Sequence, residues 1–288
     1  MADMLDGFEF SDSDVMWNPE EWKNEEAPGL KNENIDEEDF LDCLEPSKKS
    51  MTIFFLIDTS GSMKGTKIGT VNGTMEELLP ELVEVGGNNA NISIAALRYA
   101  STVTWITKDG PVPVKDYQIW PRQQAGGTTV MGAAFKELNQ KLSRKEFMNK
   151  PSVSYAPVIF LMSDGVPSDN WQEGLELLRQ NSWYKYGLKI AVGIGSNPNM
   201  DVLREFTGRE ELAIRAHGAK ELRELIEFLV ITSSKIGSQS MTLTDEGKEL
   251  TEEDVAGGKE EQLVEAVKKD IMGEMDKPEE ELDFDAGW

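Results

Sequence analysis

Residues 51–63, MTIFFLIDTSGSM, contain the stretch that decides the fold. The run up to Ile57 is apolar, rich in strand-forming residues and without polar alternation, which is typical of a strand buried on both faces. The run stops at Asp58, and Ser60 and Ser62 follow at alternate positions of a loop. Ligands of open α/β sheets bind at the carboxyl ends of such strands. The stretch therefore predicts a buried strand that ends in a site with three oxygen-bearing side chains.

Two later segments repeat this arrangement of a loop with oxygen donors beside a strand or a helix. Residues 125–132, AGGTTVMG, form a Gly-rich segment that leads into a predicted helix and carries Thr128 and Thr129. Residues 158–169, VIFLMSDGVPSD, read as a second buried strand that ends at Asp164. Carboxylates and hydroxyls are hard oxygen donors, which suit Mg²⁺ better than a soft metal. A D-x-S-x-S motif alone is more often only a turn, so the prediction depends on all three segments together.

The combined pattern resembles the von Willebrand factor type A (VWA) domain and its metal-ion-dependent adhesion site. That family has D-x-S-x-S, then a threonine three residues before a glycine, then an aspartate after an apolar strand. The matching positions here are Asp58, Ser60, Ser62, Thr129 and Asp164. Thr128 is the alternative for the threonine, since only the offset from Gly132 favours Thr129.

The resemblance implies the chemistry of the site. Ser60, Ser62 and Thr129 would ligate a cation directly, whereas Asp58 and Asp164 would act largely through water. The cation would be Mg²⁺, with Mn²⁺ or Ca²⁺ as alternatives, and a Glu or Asp of a protein partner would fill its open position. Ser168 and Asp169 either line the rim of this site or cap the helix that begins near Trp171.

The order of elements predicts the fold class. Strands and amphipathic helices alternate over 51–235, which indicates an open, doubly wound, mostly parallel α/β sheet with helices on both faces. Residues 91–99 and 101–107 predict a hairpin that supplies one antiparallel edge strand. A helix is expected at 66–85, with a kink or break at Pro80, and a long loop at 108–124.

Charge divides the chain into three parts. Residues 1–50 and 240–288 each carry a net charge of −12, whereas 51–239 hold 20 acids and 20 bases. We therefore expect an acidic flank at 1–50, a VWA domain at 51–235 and an acidic tail at 236–288. The tail holds a possible short helix at 260–275 that begins after two glycines. This charge disfavours binding to nucleic acid or an anionic membrane.

Composition and motifs also limit the function. The one histidine, His217, the absence of a P-loop motif and the lack of a base beside Ser60 argue against an enzyme. The single cysteine, Cys43, allows no intrachain disulfide, and no secretion signal or 18-residue apolar run is found. We therefore expect a cytoplasmic protein.

Residues 191–208, AVGIGSNPNMDVLREFTG, and the helix AHGAKELRELIEFL resemble bacterial cytoplasmic VWA proteins of tellurite-resistance and stress-response systems. This predicts a metal-dependent scaffold or adaptor that captures a partner carboxylate. The alternative is a VWA subunit that works with a separate AAA+ ATPase of the chelatase or MoxR type. In a third hypothesis, an acid from 1–50 or 276–288 occupies the open metal position, although the flanks are more simply explained as solubilising.

Overall fold

The computed structural model describes residues 49–86, 90–108, 110–117, 119–150, 154–239 and 251–269. All of them lie in one compact unit, Ser47–Trp288. The expectations for the acidic flank before residue 49 and for the tail after residue 269 lie outside the described residues. In the described part of the chain, no helix has both the length and the apolarity that a membrane crossing requires.

One sheet forms the centre of the unit. Its strands are β1 (Ser50–Asp58), β2 (Asn91–Tyr99), β3 (Val103–Trp105), β4 (Val112–Pro113), β5 (Val158–Ser163), β6 (Leu188–Ile194) and β7 (Ala213–Ala216). The order across the sheet is β3-β2-β1-β5-β6-β7, and β4 pairs with β2 near β3. Strands β1, β2, β5, β6 and β7 are parallel, whereas β3 and β4 are antiparallel to β2. The predicted sheet with an antiparallel edge is confirmed.

Helices cover both faces of this sheet. They are α1 (Thr66–Gly86), α2 (Met131–Lys141), α3 (Trp171–Arg179), α4 (Ser182–Tyr186), α5 (Met200–Thr207), α6 (Ala219–Gly237) and α7 (Glu252–Val267). Alternate residues of β1 point to opposite faces. Ile53, Phe55 and Ile57 pack with α1, α6 and α7. Phe54 and Leu56 pack with α2 to α5. β1 is therefore apolar on both faces because helices cover both of them.

Three local expectations differ from the structure. Helix α1 continues through Pro80, so the break that was one of the two expectations there does not occur. The buried residues Met75, Leu78, Leu79 and Leu82 lie on both sides of the proline, and their packing holds the helix against the sheet. The segment 108–124 is not all loop, because it contains β4 and a 3₁₀ turn at Val114–Asp116. The five-residue helix α4 was not predicted.

The helix in the C-terminal segment begins earlier than expected. The sequence placed it at 260–275, whereas α7 starts at Glu252 and its ordinary helical turns end at Val267. Thr251 and Asp254 form a capping box that starts the helix, so Gly257 lies inside it. Leu263, Val264 and Val267 are buried in the core cluster that also includes β1 and α6. This part of the acidic segment is thus packed against the sheet unit.

Candidate metal centre

The candidate site lies where the direction of winding changes in the sheet. β1 and β5 are neighbours, with Ile57 opposite Met162, although β2 follows β1 in the chain. The loop after β1 leads to α1 on one face, and the loop after β5 leads to α3 on the other. The two loops diverge and leave a crevice at the carboxyl ends of the strands. This is the position at which open α/β sheets bind ligands.

Asp58 forms the buried floor of the crevice. It is fully buried, its Oδ1 accepts a 2.8 Å hydrogen bond from the Ser60 amide, and its Oδ2 accepts a 2.6 Å bond from Ser163 Oγ. Burial raises the pKa of Asp58, and the hydrogen bonds from Ser163 and Ser60 oppose that rise. Both carboxylate oxygens are thus oriented by donors of the chain, which fixes the Asp58 side chain in place.

Ser60, Ser62 and Asp164 form a continuous polar row above this floor. The two serine hydroxyls share a 3.0 Å hydrogen bond, and Ser62 Oγ donates to Asp164 Oδ1 at 2.7 Å. Lys67 Nζ donates to the other oxygen, Asp164 Oδ2, at 2.9 Å. Ser60 is 2% exposed, whereas Ser62 is open to solvent. The row therefore leads from the buried floor to the surface.

The third loop brings Thr129 to the site and turns Thr128 away from it. Thr128 donates from both its amide and its hydroxyl to Ser101 Oγ, at 3.1 and 3.2 Å. Thr129 is buried and lies beside the loop that follows β5. The structure thus places the Thr129 side chain near Gly165 and the Thr128 side chain near Ser101.

Backbone hydrogen bonds join the first and third loops. The Gly126 amide donates to Thr59 O at 2.8 Å, and the Gly61 amide donates to Gly127 O at 3.0 Å. Gly127 has a φ of 90°, and a β-carbon there would approach Ser101 Oγ to 2.5 Å. Only glycine both adopts this positive φ readily and lacks the β-carbon that would clash with Ser101. Gly127 thus allows the third loop to lie directly against Ser101, in the turn between β2 and β3.

Gly165 shows that the three loops converge on one small space. A β-carbon added at Gly165 would lie 3.4 Å from both Ser62 Oγ and Thr129 Oγ1, and 3.6 Å from Asp58 Oδ2. Oxygens from two of the loops and from the end of β1 therefore surround a point that glycine leaves unfilled. This donor set of hydroxyls and carboxylates fits a hard divalent cation such as Mg²⁺.

The donor set is poor in charge. Among the described residues, no three His, Cys, Asp or Glu side chains cluster in a way that could hold a metal ion. The nearby phenol of Tyr99 is fully buried, close to Ser163 and Asp58. Burial raises the pKa of Tyr99, and the negative charge of Asp58 adds to the rise. The Tyr99 phenol is therefore an uncharged hydrogen-bond donor that lies close to Asp58 and Asp164.

Ser168 and Asp169 support the loops and do not cap α3. Asp169 accepts hydrogen bonds from the amides of Gly132 and Ala133, both at 2.9 Å, and so caps the neighbouring helix α2. Ser168 Oγ accepts from the Thr129 amide at 3.1 Å. The cap of α3 is Asn170, which accepts from the Glu173 amide. The expectation that Ser168 or Asp169 caps the helix near Trp171 is therefore wrong, and Asp169 instead couples two loops of the site.

Two site residues were missed from the sequence. Ser163 ends the apolar run of β5, where a single polar residue signals a contact inside the protein. Lys67 is the second residue of α1, and a cation at a helix N-terminus opposes the helix dipole. That conflict was a usable signal that a carboxylate lies close to Lys67.

Comparison with known proteins gives the same picture of the fold. The family profile of the von Willebrand factor type A domain matches residues 52–228. No curated protein matches the sequence significantly. The structure is similar to proximal thread matrix protein 1 of the mussel byssus, with 20% identity, a TM-score of 0.51, and 65% of this chain and 48% of that chain covered.

A second similar structure is the pilus adhesin SpaC of Lactobacillus rhamnosus GG in its open conformation. The identity is 12%, the TM-score is 0.50, and the match covers 67% of this chain and 30% of that chain. The chain thus matches about half or less of the length of either structure. Such distant similarity supports the fold alone.

Proposed function

The chain belongs to the von Willebrand factor type A domain family, and we propose that it is a metal-dependent protein-binding module. Domains of this family commonly mediate metal-dependent protein–protein interactions. In the proposal, Ser60, Ser62 and Thr129 ligate one divalent cation, while Asp58 and Asp164 act through water. Mg²⁺ is the proposed ion, with Mn²⁺ or Ca²⁺ as alternatives. A Glu or Asp of the partner completes its ligand shell.

The observation that carries the proposal is the arrangement of oxygens around Gly165. Three side chains from two segments of the chain meet within 3.6 Å of one point, and hydroxyls outnumber carboxylates there. Neutral ligands leave much of the charge of a dication uncompensated. Since Mg²⁺ keeps part of its shell for water or substrate oxygens, such an ion would attract a further carboxylate.

The rim of the crevice supports binding to a macromolecule. Ser62 and Thr128 are exposed, and Val166, two residues after Asp164, is 70% exposed. An apolar side chain beside a polar site offers contact area to a partner whose carboxylate enters the crevice. The partner is therefore proposed to be a protein.

We propose binding rather than catalysis. The serine hydroxyls are hydrogen-bonded to each other and, through Ser62, to Asp164, so the histidine base of a serine nucleophile is not among these partners. A cytoplasmic location and a role in a stress-response system are further parts of the proposal. Both rest on the resemblance of residues 191–208 to tellurite-resistance proteins.

Capture experiments with the full chain test this function. We expect a set of proteins that binds in Mg²⁺, is released by EDTA and is not captured by a Ser60→Ala/Ser62→Ala variant. Thr128→Ala is the matched control, because it removes a hydroxyl at the rim that is directed to Ser101. Mass spectrometry of the released proteins would distinguish a stress-response partner from an AAA+ ATPase.

Two results would contradict the proposal. Equal capture in Mg²⁺ and EDTA would show that no cation takes part. Equal capture by the wild type and the double serine variant would place the binding surface elsewhere. The variants must unfold at similar temperatures in EDTA, so that loss of capture is not loss of the fold.

A further inference from the structure

Lys67 places a fixed positive charge inside the candidate metal centre. Its ammonium lies 2.9 Å from Asp164 Oδ2, the Lys67 side chain is 18% exposed, and the Asp164 side chain is fully buried. Most surface ion pairs are open to water on both sides and contribute little. This pair is shielded, so its charges act strongly on their surroundings.

The Lys67 side chain is held from more than one direction. A β-carbon at Gly195, in the loop after β6, would lie 3.0 Å from Lys67 Cε and 3.1 Å from Nζ. The side chain therefore fits between that loop and the loop after β5. Gly195 has a φ of 94°, a conformation that favours glycine and so keeps this space open for the lysine.

The Lys67 ammonium and a bound divalent cation would both interact with the Asp164 carboxylate. Asp164 Oδ1 accepts from Ser62, a proposed metal ligand, and Oδ2 accepts from Lys67. A cation near Ser62 would therefore lie close to a like charge, in a crevice where water screens poorly. Repulsion lowers the affinity unless Lys67 moves away, and moving it breaks its ion pair.

We propose that Lys67 is a built-in competitor that lowers the affinity of the site for its divalent cation. The inference rests on the metal site of the proposed function and adds its regulation. Lys67 thereby raises the ion concentration at which the site loads. A partner carboxylate would neutralise part of the positive charge, so ion and partner are expected to bind cooperatively.

The opposite role for Lys67 is a definite alternative. A hydrogen bond from the ammonium to Oδ2 also orients Asp164, as outer partners of metal ligands often do. If orientation dominates, removal of the lysine weakens metal binding. If competition dominates, removal strengthens it. The sign of the change separates the two roles.

The experiment measures Mn²⁺ binding to the full chain by electron paramagnetic resonance of the free ion, with Mg²⁺ as competitor. We expect Lys67→Gln to bind at least tenfold more tightly than the wild type, and Lys67→Arg to stay within a few-fold of it. Lys64→Gln is the matched control, since it removes an exposed positive charge three residues away. Its affinity should change less than threefold.

The acidic flanks bind ions diffusely, and this contribution is common to every variant. A Ser60→Ala/Ser62→Ala chain measures it, and the difference defines the site. Lys67→Met repeats the test without the amide of Gln, which could bond to Asp164. Unfolding curves in EDTA establish which variants are folded.

The outcomes separate this inference from the function on which it rests. Equal or weaker binding by Lys67→Gln and Lys67→Met, with a measurable site in the wild type, overturns the role of Lys67 alone. An equal gain in Lys64→Gln also overturns it, because the effect would then be general. No site in the wild type or in any Lys67 variant overturns the inference and the proposed metal centre together.

Discussion

The two ends of the central strands carry buried charges of opposite sign. At the carboxyl ends, Asp58 and Asp164 are buried carboxylates that accept from hydroxyls, an amide and one ammonium. At the amino ends, Lys189 and Lys259 are buried cations. Lys189 Nζ donates to Gly187 O at 2.8 Å and pairs with a glutamate of α7.

The second cation of the amino end is also satisfied within the chain. Lys259 Nζ donates to Gly237 O at 2.7 Å and lies 5.3 Å from the centre of the Tyr155 ring. Helix α7 carries this lysine and closes that end of the sheet unit. Among the described residues no helix covers the carboxyl end in this way, and Ser62 is exposed there. The contrast teaches that packing of α7 neutralises the buried charge at one end of the strands, while the proposed metal centre occupies the other end.

The largest effect is expected from a substitution of Glu260, which removes a buried ion pair at the amino ends of the strands. This residue pairs with Lys189 at 2.6 Å, and the two side chains are 17% and 9% exposed. Glu260→Gln leaves a buried cation without its counter-charge, which should lower the free energy of unfolding by about 3 kcal/mol. Denaturant unfolding at pH 7 measures the change.

The matched control for this prediction is Glu253→Gln on the same helix. Glu253 pairs with Lys185, and the side chains are 65% and 53% exposed, so we expect almost no change in the free energy of unfolding. Equal losses in both variants would mean that burial of the Glu260 pair is unimportant, and the contrast between the two ends would fail.

An intermediate effect is expected from a substitution of Gly165, which fills the space between the oxygens of the candidate metal centre. The methyl group of Gly165→Ala would occupy the point surrounded by Ser62, Thr129 and Asp58 at ordinary contact distances. We expect folding in EDTA to be nearly unchanged. The stabilisation by Mg²⁺ should fall by about 1.4 kcal/mol, corresponding to tenfold weaker binding.

Thermal unfolding with and without Mg²⁺ measures this loss, and Gly126→Ala is its control. A β-carbon at Gly126 has no atom within 4 Å, so its ion-dependent shift in Tm should match the wild type. If Mg²⁺ raises the Tm of Gly165→Ala as much as that of the wild type, the cation does not bind at this point.

The smallest effect is the pH dependence that Lys259 gives to the free energy of unfolding. Burial lowers the pKa of Lys259 from 10.5 to about 8, and the like charge of Lys49 contributes. Between these two values the unfolded chain holds more protons, so stability rises with pH from about 8 to 10.5. Allowing for partial solvent screening, we expect about 1 kcal/mol from this group.

Comparing variants across this pH range isolates the contribution. Lys259→Met should lose the rise and be more stable than the wild type at pH 7 by a similar amount. The exposed Lys235→Met in α6 should keep the rise. Identical profiles for Lys259→Met and the wild type would show that the Lys259 amine titrates as it does in the unfolded chain.

The central strands and the site loops were predictable because local sequence determines them. Largely apolar runs specify β1, β5 and β6, with Lys189 as the charged exception in β6, since helices cover both faces of these strands. The residues Asp58, Ser60 and Ser62 follow directly from the end of β1. Their assembly with Asp164 was expected because parallel strands bring their carboxyl ends to one edge of a sheet, whereas the place of Thr129 was implied by the resemblance to the VWA family.

Contacts between distant segments were not predictable in this way. The pairs Lys67–Asp164 and Ser163–Asp58 join residues about one hundred positions apart. The start of α7 was misplaced because two glycines suggested a boundary, whereas the capping box at Thr251 begins the helix. Tertiary packing of a short apolar stripe outweighs the low helix propensity of glycine in such a segment.

The hydrogen bonds between the site loops have a consequence for the entropy of binding. The first loop is joined to the Thr129 loop through two glycine amides. The Thr129 loop is in turn joined to the segment after β5 by Ser168 and Asp169. A cation or carboxylate that enters the crevice finds these loops already ordered, so little conformational freedom is lost on binding. The affinity of the site is then governed by desolvation and charge, the two properties that a single lysine can adjust.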